Sequence, residues 1–347
     1  MNVSFTAEQL ALAATVRDVL RVHCPPAALR AERRPAWDRL AELGFFGLLL
    51  PPESDGLGLR LIDVLPALEE SGRACLPGPV VETAVVAAYL LGGVPKLASG
   101  AVTVAVLPPG QAYAADADLA DLLVVVRDGG ARLVTRRSAR LEPRPAVDPC
   151  RPVFEVRFEE SEDLASGEWA GDVARALRAA TVATAAQLIG VARQLLAVTV
   201  DYAKVRTQFG APIGSFQAVK HRLADVAVAV EFAAPLVWRA ALSVDALSES
   251  GVAAGGVPEG AAGARGGLAE VAGRDVSAAK AAAGEAAVLA ARAALQVHGA
   301  IGYTEELDLR FWLARAWSLS SAYGTSAAHR ERLRAAIVDG PPPRRHP

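Results

Sequence analysis

The chain has 347 residues, 52% of them hydrophobic and only 5% aromatic, with a formal net charge of −2. This composition favours long, closely packed helices over a β-sandwich. Because no basic run is longer than two residues, the sequence argues against a nucleic-acid partner. The first residues lack the basic and apolar regions of a signal peptide, and no uninterrupted apolar window is long enough to span a membrane. We therefore expect a cytoplasmic protein with no membrane contact.

The three cysteines, Cys24, Cys75 and Cys150, are scattered without CxxC spacing. This pattern predicts neither a disulfide framework nor a zinc site. His298 has no second histidine or carboxylate at metal-ligand spacing, so we predict no metal centre.

Residues 1–95 predict a small all-α domain. From Thr6 to residue 23 the apolar residues recur at helical spacing, and Thr6 is placed to cap the helix N-terminus. Further helices are predicted over Ala36–Leu43, over the amphipathic stretch that contains Glu69-Glu70, and over Pro79–Leu91. We interpret Glu69 and Glu70 as part of a solvated helix face.

The pattern changes to short β-rich runs over residues 96–168. These runs are Ala101–Leu107, Asp121–Arg127, Ala131–Arg137 and Val153–Glu159. Gly129-Gly130 lies between two of them and predicts a hairpin. We therefore predict a reduced, antiparallel middle β domain.

Residues 169–338 return to helical periodicity and predict a C-terminal four-helix bundle. The helices are expected at about 172–208, 215–248, 275–299 and 310–337, the last broken at Gly324. The Gly- and Ala-rich stretch Gly251–Gly273 predicts a mobile loop, and residues 339–347 predict a frayed tail. The apolar helix faces are wider than one bundle needs, which indicates an oligomer interface. The fold class is thus mainly α with a small β domain.

The stretch Tyr202–Gln217, YAKVRTQFGAPIGSFQ, lies between the first two bundle helices. The first helix is expected to end near Phe209-Gly210, with a Pro-Ile-Gly turn and a second helix from about Ser215. Arg206 and Gln208 would then lie beside backbone N–H groups near a helix N-terminus, a combination suited to an anion. An ordinary helix–turn–helix hairpin with a solvated arginine would have the same spacing.

Two motifs, RTQFGAPIGSFQ and QVHGAIGYTEE (Gln296–Glu306), accompany the order α domain, β domain, four-helix bundle. In this combination the chain resembles the flavin-dependent acyl-CoA dehydrogenase family. The segment LAELGFFGLLLPPESDGLGL (Leu40–Leu59) is similar to that family's N-terminal signature. ESGRACLPGPVVET (Glu70–Thr83) is similar to its actinobacterial, steroid-degrading branch. The resemblance covers essentially the whole chain.

The resemblance implies an FAD cofactor whose ADP half lies against the corner of a neighbouring subunit. Arg206 would pair with the pyrophosphate, because a guanidinium fork suits two phosphate oxygens, and glycine lets the main chain approach closely. His298, inside the second motif, is interpreted as a packed helix-terminal residue. The cofactor-binding residues implied are Arg206, Gln208, Phe209, Gly210, Gln217, Gln296, Gly299 and Thr325.

The resemblance also implies a catalytic carboxylate, because the reaction removes a proton α to a thioester carbonyl while the β-hydride goes to the flavin. In many relatives this glutamate directly precedes a Gly-Thr pair. Here the pair is Gly324-Thr325 and the preceding residue is Tyr323, a poor base at pH 7 because the reference pKa of tyrosine is about 10. The alternative position, on the first bundle helix, is Ala180. The loop that faces the flavin ring in relatives is not recognisable either.

Three hypotheses remain open. In the leading one, the chain is a subunit of an α2β2 heterotetramer and supplies the ADP half of an FAD site to a homologous partner that carries the base. The substrate would be a steroid or other bulky acyl-CoA, and an electron-transfer flavoprotein would accept the electrons. In the second, a homo-oligomeric dehydrogenase uses Tyr323, Glu305 or Asp308 as base, although acids at 305 and 308 also suit a helix start. In the third, the chain is a scaffold without FAD.

Overall fold

The computed structural model describes residues 4–127, 130–158, 173–249 and 261–339. The N-terminal part is helical, as predicted, with α1 Ala7–His23, α2 Pro26–Ala31, α3 Trp37–Glu42, α4 Leu61–Arg73 and α5 Ala87–Leu90. A π-helical turn, Glu82–Val86, leads directly into α5. At the start of α1, the Gln9 N–H donates to the Thr6 hydroxyl at 3.3 Å, and the Thr6 N–H donates to the Gln9 side chain at 2.8 Å. This reciprocal cap confirms the predicted helix start.

The middle part consists of two three-stranded sheets. Their strands are β1 Val104–Leu107, β2 Tyr113–Ala115, β3 Leu122–Arg127, β4 Gly130–Thr135, β5 Ala139–Arg144 and β6 Val153–Phe158. The strand orders are β1-β3-β4 and β2-β6-β5. β3 and β4 pair antiparallel with Arg127 opposite Gly130, which confirms the predicted hairpin.

One strand pair departs from the predicted antiparallel arrangement, because β1 and β3 run parallel. The chain leaves β1, adds β2 to the other sheet, and returns through the turn Ala117–Leu119 before entering β3 in the same direction as β1. β2 and β5 were not predicted either. β2 is only three residues long, and β5 contains Pro143, which weakens the strand pattern.

The C-terminal part is a bundle of long, alanine-rich helices. These are α6 Val173–Val205, α7 Gln217–Glu249, α8 Ala261–His298, α9 Leu309–Ser321 and α10 Ser326–Arg334. The break between α9 and α10 contains Gly324, as predicted, and Gly324 has a φ of 111°. The small alanine side chains let the helix backbones pack closely, so α6 lies in the centre of the core.

Two predicted helix boundaries were wrong. α6 ends at Val205 and not at 208, because the chain turns there into a short hairpin. α8 begins at Ala261, so residues 261–273 of the expected loop are helical, while residues 251–260 lie outside the described residues. Ala272 is fully buried in the bundle, which shows that packing outweighs the low helix propensity of the neighbouring glycines.

The N-terminal helices dock onto the bundle where α4 crosses α6. A Cβ atom added to Gly72 of α4 would lie 2.1 Å from the Gln187 carbonyl oxygen, and one added to Gly190 of α6 would lie 2.0 Å from the Glu69 carbonyl oxygen. Real Cβ atoms do not approach backbone so closely. The two helices therefore touch backbone to backbone, and only glycine fits at either position.

Glu69 and Glu70 are not on a solvated face, contrary to the interpretation from the sequence. Glu70 is buried and forms an ion pair with Arg17 of α1 at 2.8 Å. Glu69 forms an ion pair with Arg193 of α6 at 3.1 Å. Both carboxylates point into the contacts between helices. Because a buried charge is costly unless paired, these ion pairs fix how α1 and α6 lie on α4.

Two helices, Val173–Val205 and Gln217–Leu247, are long and apolar enough to cross a membrane by length and composition. No helix of this kind was predicted from the sequence. The most apolar window of the first is 72% buried inside the fold, so its hydrophobicity serves the core. The corresponding window of the second is only 39% buried. α7 therefore presents an apolar face to its surroundings.

Replacing Gly190 with alanine should lower the free energy of unfolding by about 3 kcal/mol or more, because the new methyl group collides with the Glu69 carbonyl. The measurement is urea unfolding followed by circular dichroism. As a control, Gly273→Ala adds the same methyl group within α8, where nothing lies within 4 Å. That change should raise stability by about 0.5–1 kcal/mol. Equal unfolding midpoints for the two variants would contradict the close crossing.

Candidate functional site

The corner between α6 and α7 is a two-residue hairpin. β7 Thr207–Gln208 pairs antiparallel with β8 Ala211–Pro212, and Phe209 and Gly210 form the turn with φ of 54° and 78°. The turn therefore lies at Phe209-Gly210 and not at the Pro-Ile-Gly segment, which forms a 3-10 turn, Ile213–Ser215, before α7. A phenylalanine rarely adopts a positive φ, so the hairpin holds it in a strained conformation.

The side chains of this corner face solvent. Phe209 is 95% exposed and forms a T-shaped pair with Phe216, with ring centroids 6.3 Å apart. Arg206 is exposed, and no carboxylate pairs with it within the part of the chain that the structure describes. Gln208 and Gln217 are exposed as well. A free guanidinium beside two amides and an aromatic ring can bind a phosphate-bearing ligand.

The second motif lies at the same end of the bundle. Gln296 is exposed, and Gly299 has a φ of 66° with nothing within 4 Å of an added Cβ. His298 is buried and stacks on Tyr202, the rings 4.2 Å apart at 23°. Because Tyr202 is in the last turn of α6, this stack brings the two motifs together. Burial also lowers the pKa of His298, so the interpretation as a packed histidine is confirmed.

Thr325 does not join this corner within one chain. Its hydroxyl caps α10 by accepting the Ala328 N–H at 3.2 Å, and the neighbouring Ser326 hydroxyl donates to the Ala281 carbonyl at 3.2 Å. Ala281 precedes Gln296 on α8 by 15 residues, which is roughly 22 Å along a helix. The other predicted cofactor residues are grouped, whereas Thr325 lies elsewhere.

Neither predicted base position carries a usable base. Tyr323 has a φ of 55°, and its hydroxyl donates to the Glu82 carboxylate at 3.0 Å. Burial, and then the Glu82 charge, raise the pKa of Tyr323 well above its usual value, so the phenol keeps its proton. Ala180 is fully buried and has no ionisable group.

The cleft beside Tyr323 is closed by polar contacts among the helical, β and bundle parts of the chain. Glu82, from the π-helical turn, lies 3.8 Å from Arg151 in the loop before β6. Arg315 of α9 is buried, pairs with Asp148 at 2.5 Å, and donates to the Leu76 carbonyl at 2.7 Å. These contacts lie around Tyr323, the position at which many relatives carry the catalytic glutamate. These pairings were not predicted, because the partners are far apart along the chain.

The turn that carries Tyr323 is held by two buried residues that sequence reasoning also missed. Lys280 of α8 is fully buried, and its Nζ donates to the Ser320 carbonyl at 3.0 Å and to the Gly324 carbonyl at 2.9 Å. Burial, assisted by the charge of Arg151, lowers the pKa of Lys280 to about 7. The Nε2 atom of His329 lies 3.1 Å from the Tyr323 carbonyl oxygen. Burial lowers the pKa of His329 to about 4.

The other candidate bases form surface ion pairs. Glu305 pairs with Arg310 at 3.0 Å, and Asp308 pairs with Arg30 at 2.5 Å. Both precede α9, as expected for helix-start charges. Across the residues that the structure describes, no group of histidine, cysteine or carboxylate side chains could hold a metal ion. The three cysteines are free and buried.

Comparison with known proteins identifies this architecture. The family model for the acyl-CoA dehydrogenase C-terminal domain matches residues 171–338, and that for the acyl-CoA dehydrogenase N-terminal domain matches residues 6–97. Acyl-CoA dehydrogenase IpdE2 of Mycobacterium tuberculosis is 32% identical over 350 residues, covering 96% of this chain and 98% of the relative. The chain belongs to the acyl-CoA dehydrogenase family.

Solved structures share the family fold. The Tcur3481-Tcur3483 steroid ACAD superposes with a TM-score of 0.78 at 24% identity, covering 96% of this chain and 98% of the other. The ChsE4-ChsE5 complex from Mycobacterium tuberculosis gives a TM-score of 0.79 at 20% identity, covering 98% of this chain and all of the other. The predicted fold class and the resemblance to the acyl-CoA dehydrogenase family are thus confirmed.

As an acyl-CoA dehydrogenase, the chain is an oxidoreductase that acts on CH–CH groups with FAD. The corner fits the phosphate half of that cofactor. Arg206 is a free cation in an exposed position, and Gly299 leaves open space where a side chain would otherwise stand. Beside Tyr323, the phenol donates to Glu82, and Glu82 also lies 3.8 Å from Arg151, so these polar groups contact one another.

Replacing Lys280 with methionine should change how stability depends on pH. The folded chain loses the Lys280 proton near pH 7, whereas the unfolded chain keeps it up to about pH 10.5. Stability therefore rises between these values, by up to about 1.4 kcal/mol per pH unit from this group. The variant lacks this contribution, so its unfolding free energy should rise less between about pH 7.5 and 9.5.

The control for this measurement is Lys204→Met, which removes an exposed lysine paired only with Asp201. Urea unfolding at several pH values should give the control the slope of the unmodified chain. Identical slopes for Lys280→Met and the unmodified chain would show that Lys280 is charged in the folded state at pH 9.

Proposed function

We propose that the chain is one subunit of a heteromeric FAD-dependent acyl-CoA dehydrogenase. It contributes the ADP half of an FAD site, while a homologous partner contributes the catalytic base and the flavin-ring pocket. The observation that carries this proposal is the separation, along one helix, of an open anion-binding corner from a closed cleft without a base.

α6 connects the two places. Ala180 is one of the missing base positions, and Val205 directly precedes Arg206. The 25 residues between them span roughly 37 Å of continuous helix. A rigid helix of this length cannot bring its corner back to its own cleft. The corner therefore faces a cofactor whose reactive half lies in another chain.

The roles proposed for the residues of this chain are binding and orientation. Bound FAD accepts the hydride that leaves the β-carbon of the acyl group. Arg206 binds pyrophosphate oxygens with its fork of N–H donors, and the amides and glycines shape the site around it. Tyr323 retains its proton, so the α-proton is removed by a carboxylate of the partner. The contacts proposed are Arg206, Gln208, Phe209, Gly210, Gln217, Gln296 and Gly299.

An exposed apolar stripe on α7 is evidence for a partner chain. Val228, Phe232 and Leu236 follow one another at four-residue spacing and are exposed. Phe232 is 76% exposed, which is unfavourable for a phenylalanine in water. The stripe lies on the helix that begins at the corner, so a chain that covers it also reaches Phe209 and Arg206. A homologous helical bundle has the shape to do so.

The relatives indicate the substrate class that we propose. One related structure is described as a steroid ACAD, and another is a complex of two different chains. We therefore propose a steroid side-chain or other bulky acyl-CoA as substrate and an α2β2 assembly as the active form. By family expectation, an electron-transfer flavoprotein in the cytoplasm receives the electrons. We also propose domains at 1–95, 96–168 and 169–338, with the tail 339–347.

Arg206→Ala should weaken FAD binding by the complex of this chain with its homologous partner by about 10–100-fold, because charge-assisted hydrogen bonds to the pyrophosphate are lost. The measurement is flavin absorbance per complex after gel filtration, followed by FAD titration. Arg140→Ala serves as the control, because Arg140 is exposed on β5 away from the corner. A complex that keeps all its FAD in the Arg206 variant would rule out this site.

The chain purified alone provides a second test of the same proposal. It should bind FAD poorly and should not oxidise an acyl-CoA. Full FAD occupancy with turnover would instead support a self-sufficient homo-oligomer. A stable complex with the partner that never contains flavin would support a scaffold.

Tyr323→Phe should leave the kcat of the complex unchanged, because the phenol is not a base in this proposal. It should lower the stability of the chain by about 1–3 kcal/mol, since buried Glu82 loses a hydrogen-bond donor. Steady-state kinetics and thermal unfolding measure the two effects separately. A loss of kcat of a hundredfold without a change in stability would assign catalysis to Tyr323.

A further inference from the structure

The stacked rings of Tyr202 and His298 join the last turns of two helices. Their centroids lie 4.2 Å apart with an angle of 23° between the planes. His298 is buried, and its Nδ1–H donates to the Ala294 carbonyl at 2.8 Å. That bond fixes the orientation of the imidazole, so Tyr202 packs on a ring that cannot turn freely.

Tyr202 is connected directly to Arg206. The Arg206 N–H donates to the Tyr202 carbonyl at 2.9 Å, and the Ile213 N–H donates to the Arg206 carbonyl at 2.8 Å. A Cβ atom added to Gly214 would lie 3.0 Å from the Ala203 carbonyl oxygen, so the turn after the hairpin packs on the last turn of α6. The backbone of Arg206 is thus held between the Tyr202 turn and the hairpin.

His298 is connected in the same way to the second motif. Gly299 follows it directly and has a φ of 66°. The 3-10 turn Gly299–Tyr303 folds back on the histidine, since a Cβ atom added to Gly302 would lie 3.2 Å from the His298 Cβ. Gln296 is two residues before His298 on α8. The positions of Gln296 and Gly299 therefore follow from that of His298.

We infer that the Tyr202–His298 ring pair positions the two halves of the flavin corner, Arg206 on one side and Gln296 with Gly299 on the other. Both rings are positioning residues, because they act through their neighbours and are turned toward each other. The inference rests on the function proposed above, in which this corner binds the ADP half of FAD. Without the pair, each motif keeps its own contacts, but the distance between the motifs is no longer fixed.

The test replaces Tyr202 with leucine, which keeps an apolar side chain but removes the ring. FAD binding by the complex should weaken about tenfold, the upper range for an aromatic pair. Tyr202→Phe keeps the ring and should restore binding to within about twofold of the unmodified complex. The control is Phe5→Leu, which breaks the aromatic pair of Phe5, just before α1, with Trp238 of α7; their centroids lie 4.9 Å apart.

Hydrogen exchange of the isolated chain gives a readout that needs no cofactor. In Tyr202→Leu the amides of Arg206 and Ile213 should exchange at least about tenfold faster, whereas Phe5→Leu should not change them. Should Tyr202→Leu fail to fold, His298→Asn removes the other ring and predicts the same increase. The double variant Tyr202→Leu with His298→Asn should weaken FAD binding no more than either single variant, because each already breaks the pair.

The outcomes separate this inference from the proposed function. If Arg206→Ala loses FAD while Tyr202→Leu binds it normally, the positioning role is wrong and the proposed function stands. If the two single ring variants add fully in the double variant, the rings do not act as a pair. If Arg206→Ala also binds FAD normally, the corner is not a flavin site and both proposals fail.

Discussion

The crossing of α4 and α6 at Gly72 and Gly190 is the contact on which the rest of the structure depends. It places two helix backbones in direct contact, and the ion pair of Glu69 with Arg193 joins the same two helices. The π-helical turn beyond α4 then lies near the turn after α9, where the Tyr323 hydroxyl donates to Glu82. A looser crossing would leave these polar groups buried without partners, at a cost larger than any one of their hydrogen bonds.

The two ends of α6 differ in whether the charged side chains near them are paired. Beside Thr184 and Gln187, in the first half of α6, buried Arg315 pairs with Asp148 from another part of the chain. At the other end, Arg206 has no carboxylate partner among the described residues, and the large apolar side chain of Phe209 is in water. An exposed apolar side chain beside an unpaired charge is typical of a surface that binds a partner or a ligand, because contact with water is unfavourable for the apolar group.

Most helices could be predicted because their signals are local. Thr6 and Gln9 are three residues apart, and the break at Gly324 needs only a residue that tolerates a positive φ. The errors arose where distant packing decides the outcome. Glycines near Ala272 favour a loop locally, yet burial of that alanine extends α8 through them. The parallel pairing of β1 and β3 depends on which sheet the intervening strand joins, and no local pattern encodes that choice.

The candidate site shows the same division between local and distant information. RTQFG and QVHG could be recognised as motifs, but only the Tyr202–His298 stack shows that they share one end of the bundle. The closed cleft was missed because Glu82, Arg151 and Tyr323 are far apart in sequence. A signal did exist: Lys280 is a single cation among alanines, and Glu82 a single acid in an apolar run. Such charges must be paired or neutral once the helix is buried. Each of these two charges therefore indicates either a partner from another element or a neutral form, although the sequence does not identify the partner.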